Sequence, residues 1–264
     1  ISKAWQAVNF SLFVTVLFYF YQIISGNLYG QQNGYYGVGS VLEYSTLSSA
    51  TIFSFLSIYA FFKNKKILSI ILLSAVFMTF SRAVVFGLIL SSFFYISMRF
   101  NRKTLFILMA VILLVFLLFI QFENRVFNFG YILSSLTHRY EQDYLPIFNY
   151  FQNSPQSLLI GAGKGLLGLN GIPIEVHNYY LRVLFESGIM ALVFFLLFFY
   201  FLIRRVRIDS NTTATMLFIF VISLMISMIV QDTFANQKVL GVFYFLLSIY
   251  GIERRKSLFK KRFS

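Results

Sequence analysis

Apolar runs close to the length of a bilayer crossing recur along this chain, with short polar breaks between them. They predict transmembrane helices at roughly 8–25, 46–62, 67–80, 83–98, 104–121, 180–203, 213–230 and 238–252. The expected fold class is therefore all-α: a polytopic transmembrane helical bundle of about eight helices, forming a single integral membrane domain over residues 1–264. One long external loop, residues 122–178, separates the fifth helix from the sixth.

Two stretches need a closer reading. As one helix, Ile67–Met98 would run about 48 Å at 1.5 Å per residue, against a hydrocarbon core of about 30 Å. Two short helices with Ser81-Arg82 at their outer turn are expected instead, which sets Arg82 below the membrane surface in a protein-lined cavity. Within the external loop, Ile132, Leu133, Leu136, Tyr140, Tyr144, Ile147, Phe148 and Phe151 form one helical stripe. This predicts an amphipathic helix over 131–151, lying at the membrane mouth and interrupted near Pro146.

Charge gives the orientation. Most of the 22 Lys and Arg residues fall in alternate breaks: Lys3, the 63–66 cluster, the 99–103 cluster, the 204–207 cluster and the C-terminal run from Arg254. The positive-inside rule puts these in the cytoplasm and the remaining cations outside. The net charge of +13 then reflects topology and anionic lipid, and nucleic acid is not an expected partner. With no Cys and only His138 and His177, thiolate chemistry is excluded and no metal site is expected. Ile1 leads almost directly into an apolar run, and the chain reads as a fragment lacking upstream membrane helices.

Candidate chemistry gathers on the external side. Arg82 is costly at membrane depth, about 2.5–3.5 kcal/mol at a helix centre, and calls for a task or a partner. His177, at the outer start of the sixth helix, can accept a proton near neutral pH. Arg125, Arg139, Lys164 and Arg182 suit a polyanion presented at the bilayer surface, such as a lipid diphosphate. Arg182 and Glu186, spaced i, i+4, can instead neutralise each other. Gly161–Gly165 lacks the Lys-Ser/Thr pair of a phosphate-cradling loop and reads as a flexible turn. Glu141 and Asp143 diverge by about 200° on a helix and are not expected to share a metal.

His177-Asn178, nine further residues and then Gly188 resemble the His-Asn…Gly motif of the O-antigen ligase and O-antigen polymerase family. Thr79-Phe80-Ser81-Arg82-Ala83 is similar to its Ser-Arg-small turn. Arg139-Tyr140 followed by Leu159-Ile160-Gly161-Ala162-Gly163 is similar to its external Arg…Gly-x-Gly stretch, and Ala191 departs from the ligase pattern. The resemblance covers roughly residues 40–205. It implies a GT-C-like, metal-independent, inverting glycosyltransferase of the bacterial cytoplasmic membrane, with its active site facing outward and no cofactor. The implied partners are an undecaprenyl-diphosphate-linked glycan donor and a glycan or lipid-linked acceptor. His177, Arg82 and Arg139 would be catalytic, the histidine as base and the arginines on the diphosphate. Asn178, Tyr140, Lys164 and Arg182 would contact substrate. The rival from another class, a transporter or flippase for lipid-linked or anionic substrates, predicts mid-depth charges and repeated halves, and neither is evident.

Overall fold

The computed structural model describes residues 2–25, 30–32, 35–37, 46–79, 81–99, 134, 137–169, 176–208, 211–229 and 237–262. The described residues are mostly helical: α1 (Ser2–Ser25), α2 (Thr46–Phe62), α3 (Lys66–Met78), α4 (Arg82–Arg99), α5 (Leu145–Asn153), α6 (Gln156–Ile160), α7 (Tyr179–Ile208), α8 (Thr212–Met228) and α9 (Gln237–Arg262). A small antiparallel hairpin pairs β1 (Gly30–Gln32) with β2 (Tyr35–Gly37). Six of the eight apolar runs form helices where hydropathy places them, the run at 180–203 is helical but broken at Gly188, and 104–121 lies outside the described residues. Two of these helices, α1 and α7, are long and apolar enough to cross a membrane. The chain divides into two units. The first holds 1–89, 201–227 and 233–264, and the second holds 90–200 and 228–232.

In the first unit, α2 and α3 make a tight antiparallel hairpin. Asn64 takes a left-handed φ of 58°, and the N–H groups of Lys65 and Asn64 bond back to Ala60 and Phe61. This is the double bond of a Schellman cap, and Asn is the residue that tolerates it best after Gly. Ser57 and Ser69 clasp the pair: each hydroxyl donates to the other residue's carbonyl at 3.0 Å. Small side chains allow that approach, and the reciprocal bonds satisfy groups that hydrocarbon would leave bare.

Asn9 of α1 accepts from both Tyr59 and Lys65, while Trp5 stacks on Tyr59 at 5.0 Å and meets Phe245 of α9 edge-on. Lys63 lies over the Trp5 ring. Asn211, just before α8, donates to Glu253 of α9. These contacts bring the start of α1 to the α2–α3 turn and set Asn211 beside Glu253, next to the basic Arg254 and Arg255. Farther along, Tyr19 of α1 bonds Ser74 of α3, and Gly87 of α4 lies so close to Ser223 of α8 that a Cβ would sit 2.6 Å from its carbonyl oxygen.

Helix α3 is about 20 Å long and α4 about 27 Å, and the chain breaks between them at 79–81 as expected. Thr79 closes α3 by donating its hydroxyl to Val76, and Ser81 N–H turns back to that hydroxyl. The core is mainly apolar, with Phe53, Leu72, Leu217, Phe220 and Phe243 buried, but it also takes in hydroxyls, and large apolar side chains face outward as well. Ser49, Thr51, Ser54, Ser57, Thr213, Thr215, Ser223 and Ser227 are buried, whereas Phe10, Phe13, Ile67, Ile70, Phe86 and Phe94 are exposed. The apolar stretch of α7 is only 11% buried and that of α1 33%, unlike the core helix of a soluble protein.

Candidate functional site

The second unit carries Arg139, Tyr140, Lys164, His177, Asn178 and Arg182. It is organised by a break in α7 at Gly188, where φ is 80° and ψ is 176°. That backbone region is essentially open to glycine alone. The segments on either side fold back on each other: the rings of Tyr179 and Tyr180 lie 5.6 and 6.0 Å from Phe195. In a straight helix, residues 16 apart would be separated by about 24 Å. The run expected as one span at 180–203 is therefore two pieces. Residues 189–208 alone still reach about 30 Å, enough for a crossing.

The nine residues between Asn178 and Gly188 now have a physical meaning: they are one short helix. Asn178 caps it, its side-chain oxygen accepting from Leu181 N–H at 3.0 Å. Gly188 ends it. The break strips the carbonyls of Phe185 and Glu186 of their helical donors, and the Gly161-Ala162-Gly163 segment replaces them. Ala162 N–H donates to Phe185 at 2.7 Å and Gly163 N–H to Glu186 at 3.1 Å. Gly161, at φ 86°, lies so close that a Cβ would be 2.5 Å from the Glu186 oxygen, and a Cβ on Gly188 would run into the Leu159 carbonyl. The expectation of a flexible turn at 161–165 is thus corrected. The segment is docked through its main chain, with two of its N–H groups engaged by helix carbonyls instead of an anion.

A helix packs across this lock. Residues 137–153 are helical throughout, but Tyr140–Tyr144 form a π-turn in which Leu145 N–H reaches back to Tyr140. Pro146 follows at once. A proline inside a helix lacks a donor and crowds the preceding turn, and one wider turn relieves both. The helix is therefore not interrupted at Pro146, as the sequence suggested, but re-registered there. The extra residue splits the expected stripe. Asp143, Ile147 and Phe151 face inward, while Tyr140 and Phe148 stay 54% and 48% exposed. Ile147, Phe151, Val176 and Phe185 form one buried cluster, joined by Tyr150, Ala162, Leu166, Leu181 and Leu184.

This cluster holds the His177 loop against the Arg139 helix. Asp143, only 5% exposed, accepts the backbone N–H of His177 at 3.4 Å, one helical turn from Arg139. The His177 side chain is exposed, as are those of Tyr140 and Lys164, and Arg139 is half-buried. Arg182 pairs with Glu186 at 2.8 Å, so the i, i+4 neutralisation is realised and its charge is largely spent. The oxygen of Asn178 is committed to its cap, which leaves the amide nitrogen as its means of contacting a sugar. Arg82 opens α4 in the first unit. The neighbouring Ser81 hydroxyl is buried with no hydrogen-bond partner. The Arg82 side chain and all of Arg125 lie outside the described residues. Sequence reasoning missed Asp143 as a structural partner of His177. Its spacing of four and eight residues from Ile147 and Phe151 was the available signal. No family model matches the chain, and no curated protein is significantly similar to it.

Proposed function

We propose that this protein is a membrane glycosyltransferase that transfers or polymerises undecaprenyl-diphosphate-linked oligosaccharide at the outer face of the bacterial cytoplasmic membrane. The observation that carries this reading is the single packed body of the second unit, in which the His177 loop is fastened to the helix bearing Arg139 and Tyr140. A membrane setting is supported by the two long, poorly buried apolar helices and by the large apolar side chains that the other helices leave exposed.

In this reading the acceptor hydroxyl attacks the anomeric carbon of the donor sugar. The bond from that carbon to the diphosphate oxygen breaks, and undecaprenyl diphosphate departs with the electron pair. The guanidinium of Arg139 stabilises the charge gathering on the leaving group, and the His177 imidazole takes the acceptor proton. Tyr140, exposed beside Arg139, offers a ring and a hydroxyl to the sugar. Lys164 supplies a further cation, and the Glu186-bound Arg182 a weaker one. The role of Arg82 on the diphosphate rests on its sequence motif.

The test is glycan transfer by the purified full-length protein, with a synthetic lipid-diphosphate oligosaccharide as donor and chelator present. Lengthened or transferred glycan is expected. His177→Ala should lose about 10²–10⁴-fold in rate, the usual worth of general-base assistance, while lipid-diphosphate binding persists. Arg139→Ala and Arg82→Ala should abolish transfer, with poor rescue by Lys where bidentate contact is needed. Movement of lipid-linked substrate without any new glycosidic bond would replace the enzyme by a transporter.

A further inference from the structure

Asp143 is the one charged side chain that is buried among the described residues. A carboxylate taken out of water is costly unless hydrogen bonds compensate it, so its position asks for a reason. Its observed partner is the main-chain N–H of His177, from a segment 34 residues later in the chain. Around it, Ile147 one turn farther along the helix shares a buried cluster with Val176, the residue preceding His177. The loop is thus held at consecutive residues, by an apolar contact at Val176 and a polar one at His177. The imidazole itself is left out of both and remains exposed. Arg139 lies four residues before Asp143, and the π-turn between them sets the rotation of one relative to the other.

We propose that Asp143 is a positioning residue: its carboxylate holds the main chain of His177 in register with the Arg139 helix, so that base and guanidinium address the same glycosidic bond. The proposal rests on the glycosyltransferase reading for its catalytic consequence, but the Asp143–His177 pin can be measured without it. At 3.4 Å the bond is long, and hydrogen bonds in unliganded sites commonly tighten when substrate binds. A side chain kept only for packing would behave differently. Leu fills a similar volume, and replacing a buried charge with an apolar group of like size is often neutral or stabilising.

The experiment compares Asp143→Leu, Asp143→Ala and Asp143→Asn with the wild-type full-length protein. Hydrogen exchange of the His177 amide is followed by mass spectrometry, alongside kcat and KM for the synthetic lipid-linked donor and the melting temperature in detergent. In Leu and Ala the amide should exchange faster, and kcat should fall by about 10²-fold with KM little changed, the effect expected of a misplacement near 1 Å. The Leu protein should melt no lower than wild type, and Asn, which keeps an acceptor oxygen, should recover both slow exchange and most of kcat. Unchanged exchange in Leu and Ala, wild-type kcat in either, or Asn behaving like Leu would each overturn the proposal. If Leu does not fold, Ala and Asn decide it on the same readouts. If wild type transfers no glycan, the enzymatic reading falls, and with it the catalytic role of Asp143. The exchange arm then reports whether the pin exists as a structural contact.

Discussion

Gly161 and Gly188 hold the second unit together through what they lack. Both occupy backbone angles that a side chain makes expensive, about 1–3 kcal/mol, and each faces the other's flanking main chain with no room for a Cβ. Gly163 is the natural control, since its φ is 84° but nothing lies within 4 Å of a Cβ placed there. Gly163→Ala should therefore cost only the strain, about 1–3 kcal/mol. Gly188→Ala should cost distinctly more and release the 179–187 segment, seen as loss of protection from exchange at Ala162 and Gly163. Equal melting temperatures for the two variants would remove the close approach as the cause. The glycines were visible in the sequence as a spacing, but not as partners. Nothing in a linear pattern says that residues 27 apart meet back to back. The same holds for Asp143, whose inward face was hidden because the π-turn shifted the helical phase between Tyr140 and Ile147.

At the level of elements, hydropathy located the helices well because each one presents apolar side chains outward as well as inward, so the whole run stands out. The break in α7 was not read from hydropathy, because a window average dominated by the apolar run after Gly188 passes over the short polar Glu186-Ser187 step and a single reversed φ. The division between α3 and α4 was legible because length forbade one helix and Ser81-Arg82 supplied a polar turn. The α2–α3 pair offers a test of how such elements adhere. Ser57→Ala removes one half of the clasp and should cost about 0.6 kcal/mol, the usual worth of a hydrogen bond between membrane helices. Ser69→Leu forces the backbones apart and should cost about 1–3 kcal/mol as overpacking. Both are measurable by unfolding in mixed detergent. A larger loss from Ser57→Ala than from Ser69→Leu would mean that the hydroxyls, and not the close approach, join the helices.

For the molecule as a whole, orientation is the property that the distribution of cations proposes and that remains to be measured. Contacts at Asn9, Trp5, Lys63 and Lys65 bring the start of α1 to the α2–α3 turn, and Asn211 joins Glu253 at the basic end of α9. A chain with no cysteine lends itself to a direct test of orientation. Cysteine introduced at 35 or 170 should react with an impermeant thiol reagent added to intact cells, and cysteine at 64 or 256 should not. Labelling at 64 would reverse the proposed orientation and, with it, the proposal that the site faces outward.

The lock between the Gly161 segment and the end of the 179–187 helix is written in main-chain atoms. The bonds run from the amides of Ala162 and Gly163 to the carbonyls of Phe185 and Glu186, and none of them reads a side chain. The bonds themselves place no demand on side chains beyond the two glycines, whereas Phe185 and Ala162 answer also to the apolar cluster around Ile147 and Val176. Over long divergence the exposed letters around the joint are free to drift while the glycines and the buried apolar positions persist. Two distant chains can then share this architecture on a pair of glycines, a few apolar positions and the interval that separates one of the glycines from a capping asparagine.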